Sequence, residues 1–447
     1  MSKIALVTIV GPADRGVDLS EYGYDQVAHL PMLKSDNRND VSIHEFFDSL
    51  KKLRLEPREL EMDLLVIAVS MYAADTRVSR QDYSDDSWTR QIDLYIPVSD
   101  VSFWSTQVEL LERIFTFLTG DIWHLIFRDR TVPALKISPV GNRKKYGMPY
   151  QTDTVCLFSG GVDSLIGAVD LLEQKIRPLL IGHAKSSDIA PYQYNCHQSL
   201  INHYGNFAPQ RIYAFLRIPK NDLFGTIEHT ERGRSFLFLT LGMICATCLN
   251  SNSKLIVPEN GMISLNLPLT PLRIGSNSTR TTHPYYFEMM EVLFIKMGSN
   301  VNISNPYQFK TKGEMLSECL NQAVVTNTES MSCSHPDGRW EGLGVGHCGY
   351  CVPCLIRQAS FRKAGLADMA TYRHNIFDPT GLKIDSKKGA DVLAFKYMIE
   401  KVRQKPDFLK ASIRNTGPLG ENVEDYVDVY RRALEEVEAL INPVILI

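Results

Sequence analysis

Val155-Cys156-Leu157-Phe158-Ser159-Gly160-Gly161-Val162-Asp163-Ser164 runs directly into Leu165-Ile166-Gly167-Ala168-Val169-Asp170-Leu171-Leu172. The opening apolar run, with β-branched and aromatic members, has the pattern of a buried strand; it stops at Ser-Gly-Gly, and the apolar spacing beyond has helical period. A strand that turns through two glycines into a helix start leaves several backbone N–H groups aimed at one point. With the positive end of the helix dipole they form an anion site that needs no basic side chain. Gly160 and Gly161 let the backbone come close to the anion, Val162 opens the helix, and Ser159 and Ser164 add hydroxyl donors. Asp163 is the odd member, since a carboxylate repels phosphate. It fits if a divalent cation such as Mg²⁺ bridges the two, or if it caps the helix and holds the turn shut. The string has neither the Gly-Lys-Ser/Thr end of a P-loop nor a dinucleotide fingerprint.

The chain of 447 residues has room for two or three domains. An apolar content of 44% and a charged content of 22% describe an ordinary globular protein. A net charge of −3, with no aromatic-basic repeat, gives no general attraction to nucleic acid or an acidic membrane, and direct nucleic-acid binding is not expected. The most apolar stretch, residues 236–249, is too short to span a bilayer, and the first ten residues read as a strand rather than a signal peptide. Nine cysteines, odd in number and without a regular framework, favour a reducing compartment and a metal over disulfides. The expected location is the cytoplasm.

Four segments follow. Residues 1–150 pattern as an N-terminal α/β domain, with a turn-rich basic linker over 136–153; 151–330 carries the loop; 331–375 carries the clustered cysteines; 376–447 is a helical extension. In the first segment, 4–10, 64–69 and 88–98 read as strands, the last half-buried because apolar residues alternate. Residues 41–53, 57–62 and 103–118 read as helices. Asp75, Arg77, Arg80, Arg90 and Asp93 read as solvated surface charge, because Arg and Asp are mostly exposed residues. Arg90 and Asp93, three apart in a strand, leave opposite faces. In the extension, 391–402 and 426–440 have helical spacing and an apolar face for the core or a partner.

In the second segment further buried strands at 179–181, 211–218 and 254–257 alternate with helices. This argues for an α/β fold, a mostly parallel sheet with helices on both faces and the Ser-Gly-Gly loop at a strand's carboxyl end. Such sheets bind ligands in the crevice at those ends. His183, Lys185 and Ser186 follow the second strand and would face the nucleoside side of a phosphate-anchored ligand; His183 equally suits a strand-end surface position. Glu231-Arg232-Gly233-Arg234-Ser235 precedes the helical run 236–249. Two arginines there oppose the helix dipole, a conflict that a bound anion or an acidic partner resolves, and guanidinium pairs with phosphate through two donors. Ser235 is the candidate cap. Glu259 and Asn260 sit in the turn after the strand at 254–257. The loop 266–284 gathers Arg273, Ser276, Ser278, Thr279, Arg280, Thr281, Thr282 and His283. Thr311 is a candidate cap for a helix from Gly313, and Lys312 can reach a phosphate.

Cys333 is followed by Cys348-x₂-Cys351-x₂-Cys354. Two-residue gaps hold sulfurs at tetrahedral distances from a single ion, and four thiolates suit a structural Zn²⁺. An iron–sulfur cluster is the alternative, but bacterial ferredoxins add a fourth cysteine where this chain has Gln358. His347 is the rival ligand for Cys333. Cys156, Cys196, Cys245, Cys248 and Cys319 read as buried or incidental.

The string 159–164 resembles the pyrophosphate loop of the ATP-pyrophosphatase superfamily, enzymes that split ATP between the α and β phosphates to adenylate a substrate oxygen. Ser159-Gly160-Gly161-Val162-Asp163-Ser164, Arg232-Gly233-Arg234-Ser235, His347-Cys348-Gly349-Tyr350-Cys351-Val352-Pro353-Cys354-Leu355-Ile356-Arg357 and Phe361-Arg362-Lys363-Ala364-Gly365 come in the order seen in 7-cyano-7-deazaguanine synthases. The resemblance covers about residues 155–375, half the chain. It implies an adenine nucleotide alpha-hydrolase-like fold with a small zinc subdomain, and ATP, Mg²⁺ and Zn²⁺ as cofactors. The implied reaction is adenylation of 7-carboxy-7-deazaguanine, followed by amine capture. Residues 159–164 and His183 would hold the nucleotide, Asp163, Arg232, Arg234 and Lys312 would serve the chemistry, and the four cysteines the metal. The chain departs from those synthases in its residues 1–150, in Ile181-Gly182-His183-Ala184-Lys185 in place of an aromatic-glycine-glutamine-arginine stretch, and in the 266–284 loop. The extended form looks like the synthase-like proteins encoded in bacterial anti-phage defence operons. That likeness implies a deazapurine small-molecule substrate attached to a protein partner from the same operon. A stand-alone synthase using ammonia and a nucleotide-sensing scaffold without chemistry are the alternatives.

Overall fold

The computed structural model describes residues 2–33, 41, 43–86, 88–130, 150–184, 188–216, 218, 223–228, 230, 232–250, 252–270 and 280–447. Residues 136–149 of the expected linker, Lys185, Ser186, Glu231, Arg273, Ser276, Ser278 and Thr279 lie outside the described residues.

Among the described residues there are two parallel sheets. The first has the order β2-β1-β3-β4, from Lys3–Val10 (β1), Gln26–Met32 (β2), Gln91–Val98 (β3) and Ile122–Asp129 (β4). The second has the order β7-β6-β5-β8-β9, from Thr154–Leu157 (β5), Leu179–Ala184 (β6), Gln210–Phe215 (β7), Lys254–Ile256 (β8) and Asn302–Ser304 (β9). Every strand in both sheets runs parallel to its neighbours. In the second sheet β5 is central: the chain winds outward to β6 and β7 on one side, then crosses to β8 and β9 on the other. The loop after β5 therefore opens at the point where the strand order reverses, the position at which open α/β sheets bind ligands.

Strand alternation places helices on both faces of this sheet. Val155 and Leu157 enter one core with the helix Arg234–Leu249, while Cys156 and Phe158 enter another with the helix Val162–Glu173. The first of these cores also takes Ile4, Leu6, Ile92 and Leu94 of the N-terminal sheet, so the two sheets share one apolar interior.

The layer between the sheets is made by Glu59–Arg77 packed against Arg234–Leu249. Residues 64–69, expected as a strand, are the middle of the first of these helices, and 57–62 leads into it. Leu64-Leu65-Val66-Ile67-Ala68-Val69 is apolar without alternation because the helix is buried all round, and a helix buried all round shows no face in its sequence. Strand β3 lies between β1 and β4 and is buried on both faces, not half-buried. The stretch 103–118 is divided between two helices, Val101–Ser105 and Val108–Thr119.

Of the charges read as solvated surface, Asp75, Arg80, Arg90 and Asp93 are buried and Arg77 is half-buried. Arg90, Asp75 and Asp121 are each 0% exposed. Arg90 Nη2 donates to Asp75 Oδ1 at 2.8 Å and to Asp121 Oδ2 at 2.6 Å, and Arg80 Nη1 and Nη2 donate to the same Asp121 at 2.7 and 2.9 Å. Paired carboxylates satisfy the guanidiniums, which is what permits burial. Asp93 does leave the opposite face of β3, where it accepts from Tyr24 Oη at 2.7 Å and meets His124 Nδ1 at 2.8 Å.

A third core joins the clustered-cysteine segment to the extension, whose helices are Lys387–Gln404, Pro406–Arg414 and Val423–Ile441. No helix among the described residues is long and apolar enough to cross a membrane.

Replacing Asp121 by alanine strands parts of two buried guanidiniums, so unfolding free energy should fall by about 3–5 kcal/mol. Urea denaturation measures this. A loss below about 1 kcal/mol, the size of an exposed pair, would show that water reaches the network.

Candidate functional site

Gly160 has φ +82°, and a Cβ there would lie 2.6 Å from Gln193 Cγ, so only glycine makes this turn. Gln193 Nε2 donates to the carbonyls of Ser159 at 3.0 Å and His183 at 3.2 Å, tying together the ends of β5 and β6. Within the loop, Ser164 Oγ accepts from Gly160 N at 3.2 Å and donates to Gly161 O at 3.0 Å, with Ser159 Oγ at 3.3 Å. No side chain caps the helix Val162–Glu173, which leaves its first N–H groups for water or a ligand.

Asp163 lies in the first turn of that helix and is not its cap. Its Oδ2 accepts from Asn260 Nδ2 at 2.7 Å and from Asn260 N at 3.2 Å; its Oδ1 is 3.0 Å from Lys312 Nζ. Lys312 opens the helix Lys312–Glu318, which Thr311 caps as its sequence indicated, through a reciprocal bond with Glu314. The extension braces this helix from outside: Glu436 accepts from Thr311 Oγ1 and from Gly313 N, and Arg432 Nε donates to Glu314 Oε1 at 2.7 Å.

Beside the loop is a cavity of about 220 Å³, lined by Ser159, Ser164, Arg234, Ser235, Glu259 and Thr281 among others. Arg234 Nε donates to His183 Nδ1 at 3.2 Å and Nη2 to His183 O at 3.1 Å. His183 is 0% exposed, so it is no surface histidine; it holds the guanidinium at the cavity. Burial pushes the Glu259 carboxyl up to about 7, with the Asp163 charge acting the same way and the Thr282 hydrogen bond and Lys312 opposing.

Arg232 is not brought to this cavity. Its Nη1 donates to Thr119 O at 3.1 Å and its guanidinium lies 4.4 Å from the Trp88 ring centroid, within a second cavity. The acidic partner implied by two arginines at a helix start belongs to the chain itself. Asp75 Oδ2 accepts from Gly233 N at 2.8 Å, so the N-terminal domain supplies the anion. Gly233, not Ser235, is the cap position, and Ser235 Oγ lies 2.8 Å from Thr281 Oγ1 inside the helix's first turn. Gln193 and Asp75 carried no sequence signal for these roles, since each acts across the fold.

The sulfurs of Cys333, Cys348, Cys351 and Cys354 all lie within 4.8 Å of one another and are buried. Cys333 and Cys351 are 3.9 Å apart, as are Cys348 and Cys354, close to the roughly 3.8 Å edge of a tetrahedron with 2.3 Å metal–sulfur bonds. Backbone N–H groups of His335 and Cys348 donate to Cys333 Sγ, each at 3.3 Å, the outer-sphere support expected for thiolates. The segment is thus a four-cysteine subdomain able to bind a metal. His347 is turned away: its Nε2 accepts from Ser332 N at 3.2 Å, and burial lowers its pKa to about 4. The histidine beside the sulfurs is His335, held above the ordinary imidazole range by hydrogen bonds to Cys348 and Cys351; its place two residues after Cys333 was the available signal.

The chain matches no protein-family model and no curated protein sequence. Fold and site together are consistent with the nucleotide-binding α/β class of enzymes, with a phosphate-type loop at the switch point and a separate metal-binding subdomain.

Purified protein should carry one metal ion per chain by elemental analysis. Cys351→Ser should lose that ion and melt at lower temperature, because a four-ligand site contributes folding energy directly. Glu259 gives a pH test. Its folded pKa is raised, so its stabilising contribution is full below about pH 4 and is lost as pH rises through about 7. Glu259→Gln should therefore gain melting temperature on the wild type between about pH 5 and about pH 8; equal curves across that range would contradict the shift.

Proposed function

We propose that the protein activates a carboxylate with ATP, releasing pyrophosphate, and passes the acyl-adenylate to an amine. What carries this reading is the convergence, at the switch-point crevice, of an uncapped helix start, the Ser159 and Ser164 hydroxyls, Arg234, and Lys312 held 3.0 Å from Asp163. A carboxylic acid cannot expel oxide or hydroxide near neutral pH, whereas AMP is a good leaving group. The substrate carboxylate oxygen forms a bond to the α phosphorus, and the bond from that phosphorus to the bridging oxygen breaks with its electrons going to pyrophosphate. The site must stabilise charge growing on the departing group. Fixed N–H and hydroxyl donors and two cations do so without rearranging, the most effective form of electrostatic catalysis. An amine nitrogen then attacks the acyl carbon, AMP departs with the C–O electrons, and the nitrogen loses one proton.

Asp163 acts here by fixing Lys312. Its Oδ2 is taken up by Asn260, whereas its Oδ1, beside Lys312, is buried and makes no hydrogen bond among the described residues; that oxygen is the one that would hold Mg²⁺, which would supply further positive charge at the phosphates. The four thiolates suit Zn²⁺, and since they fill all four positions of a tetrahedron, the ion would hold the segment together without taking part in the reaction. On the sequence resemblance the acid is 7-carboxy-7-deazaguanine and the amine belongs to a protein encoded in the same operon; ammonia would give the amide or nitrile instead.

The test supplies protein, magnesium ATP and 7-carboxy-7-deazaguanine, with either ammonium or the neighbouring operon proteins. AMP and pyrophosphate should appear, and mass spectrometry should find a nitrile in one arm or a covalent mass addition in the other. Asp163→Ala should slow AMP formation at least about 100-fold, the scale of losing one preorganised charge-stabilising group. A normal rate in that variant would overturn the assignment of Lys312.

A further inference from the structure

The helix Val108–Thr119 ends at Gly120, whose φ of +77° turns the chain away and leaves the last carbonyls without helical partners. Two of them take guanidiniums. Phe117 O accepts from Arg280 Nη1 at 2.9 Å and Thr119 O from Arg232 Nη1 at 3.1 Å, cations at the negative end of a helix dipole. Each guanidinium also lies over a ring, Arg280 at 4.6 Å from the Phe117 centroid and Arg232 at 4.4 Å from that of Trp88. From the helix Lys387–Gln404, Lys401 Nζ sits 4.0 Å from the Phe408 centroid and 3.2 Å from Tyr397 Oη.

These groups line one cavity of about 630 Å³, set between the N-terminal domain, residues 265–270 and the C-terminal helices. Among its described lining residues there is no Asp or Glu. Arg232 feels the charges of Asp75 and Asp121 behind it. Arg280 and Lys401 are held at the wall by ring faces and neutral oxygens. Burial lowers the pKa of both arginines, that of Arg232 to about 10, so the cations stand partly stripped of water. Partly desolvated cations facing a cavity gain most from an anion, and aromatic walls gain most from a flat ring. The volume lies within the roughly 300–1,000 Å³ of small-molecule sites.

We infer that this cavity is a second binding site, separate from the loop, for a ring-bearing organic anion: a planar heterocycle carrying a carboxylate or a phosphate. The two cavities back onto each other. Arg280 lines this one and Thr281 the loop cavity; Arg232 lines this one and Arg234 the loop cavity. If the adenylation reading holds, the occupant is the acid awaiting activation, and this clause alone rests on that reading.

Calorimetric titration of the full chain without ATP tests the inference with two matched pairs, 7-carboxy-7-deazaguanine against the uncharged 7-cyano-7-deazaguanine, and GMP against guanosine. In at least one pair the anion should bind ten-fold or more tightly than its neutral partner; which pair does so tells carboxylate from phosphate. Arg280→Gln and Lys401→Gln should each weaken that binding about ten-fold, the scale of one charge-assisted hydrogen bond. Melting temperatures check that the variants fold, and Lys401, which is only half-buried, gives a reading if Arg280→Gln does not. No anion preferred over its neutral partner, or a preference unchanged in both variants, overturns the proposal. Because no ATP is present, either result is independent of whether pyrophosphate is ever released.

Discussion

One buried carboxylate, Asp75, ties the N-terminal domain to the helix that packs on the loop-bearing sheet. Its Oδ1 receives Arg90, the residue before β3, at 2.8 Å, and its Oδ2 receives Gly233 N at 2.8 Å from the start of the helix that crosses behind β5. A Cβ at Gly233 would lie 2.9 Å from Met71 Sδ and 3.0 Å from Asp75 Oδ2, so glycine is what lets the two helices come this close. An unpaired carboxylate here would be prohibitively costly; with a guanidinium on one side and a helix N-terminus on the other, it is satisfied on both. The contact settles where Arg232 and Arg234 go. With the helix start already supplied with its anion, Arg234 turns to His183 and the loop, and Arg232 turns towards the N-terminal domain.

The C-terminal extension does comparable work from the opposite side. Lys312 would swing freely on its long side chain were its helix not pinned. Glu436 caps that start together with Thr311, and Arg432 grips Glu314. Burial pushes the Glu436 carboxyl up to about 6, against the bonds it accepts from Thr311 and Gly313. The ammonium presented to Asp163 is thereby fixed by residues more than a hundred positions further along the chain. The cysteine segment shares its core with these same helices and its Met331 N donates to Gly160 O at 2.9 Å, so a metal bound there would stiffen both the support of Lys312 and the loop.

The N-terminal domain and the extension meet over residues 265–270, and the larger cavity exists only because they do. The loop cavity, by contrast, lies at the carboxyl ends of β5 and β8 and is closed by the start of the helix Arg234–Leu249 and by Thr281. A parallel sheet with reversed strand order makes such a crevice wherever it occurs, and the added domains are what could give it a second compartment.

The sequence by itself determined what is local. The Ser-Gly-Gly turn, the capping box at Thr311 and Glu314, the cysteine spacing and the parallel alternation of strand and helix each follow from residues within a few positions of one another, so their geometry is legible without the rest of the chain. Asp75 to Arg90 to Asp121, Asp163 to Lys312, His183 to Arg234 and Arg280 to Phe117 were decided by the tertiary structure. Each joins segments brought together only by packing, and charge type alone does not say whether an Arg meets water, a carboxylate or a ring. The same holds for residues 64–69: an apolar run without alternation fits a buried strand or a helix buried all round, and only the N-terminal sheet on one side and the helix Arg234–Leu249 on the other make it a helix wrapped on every side.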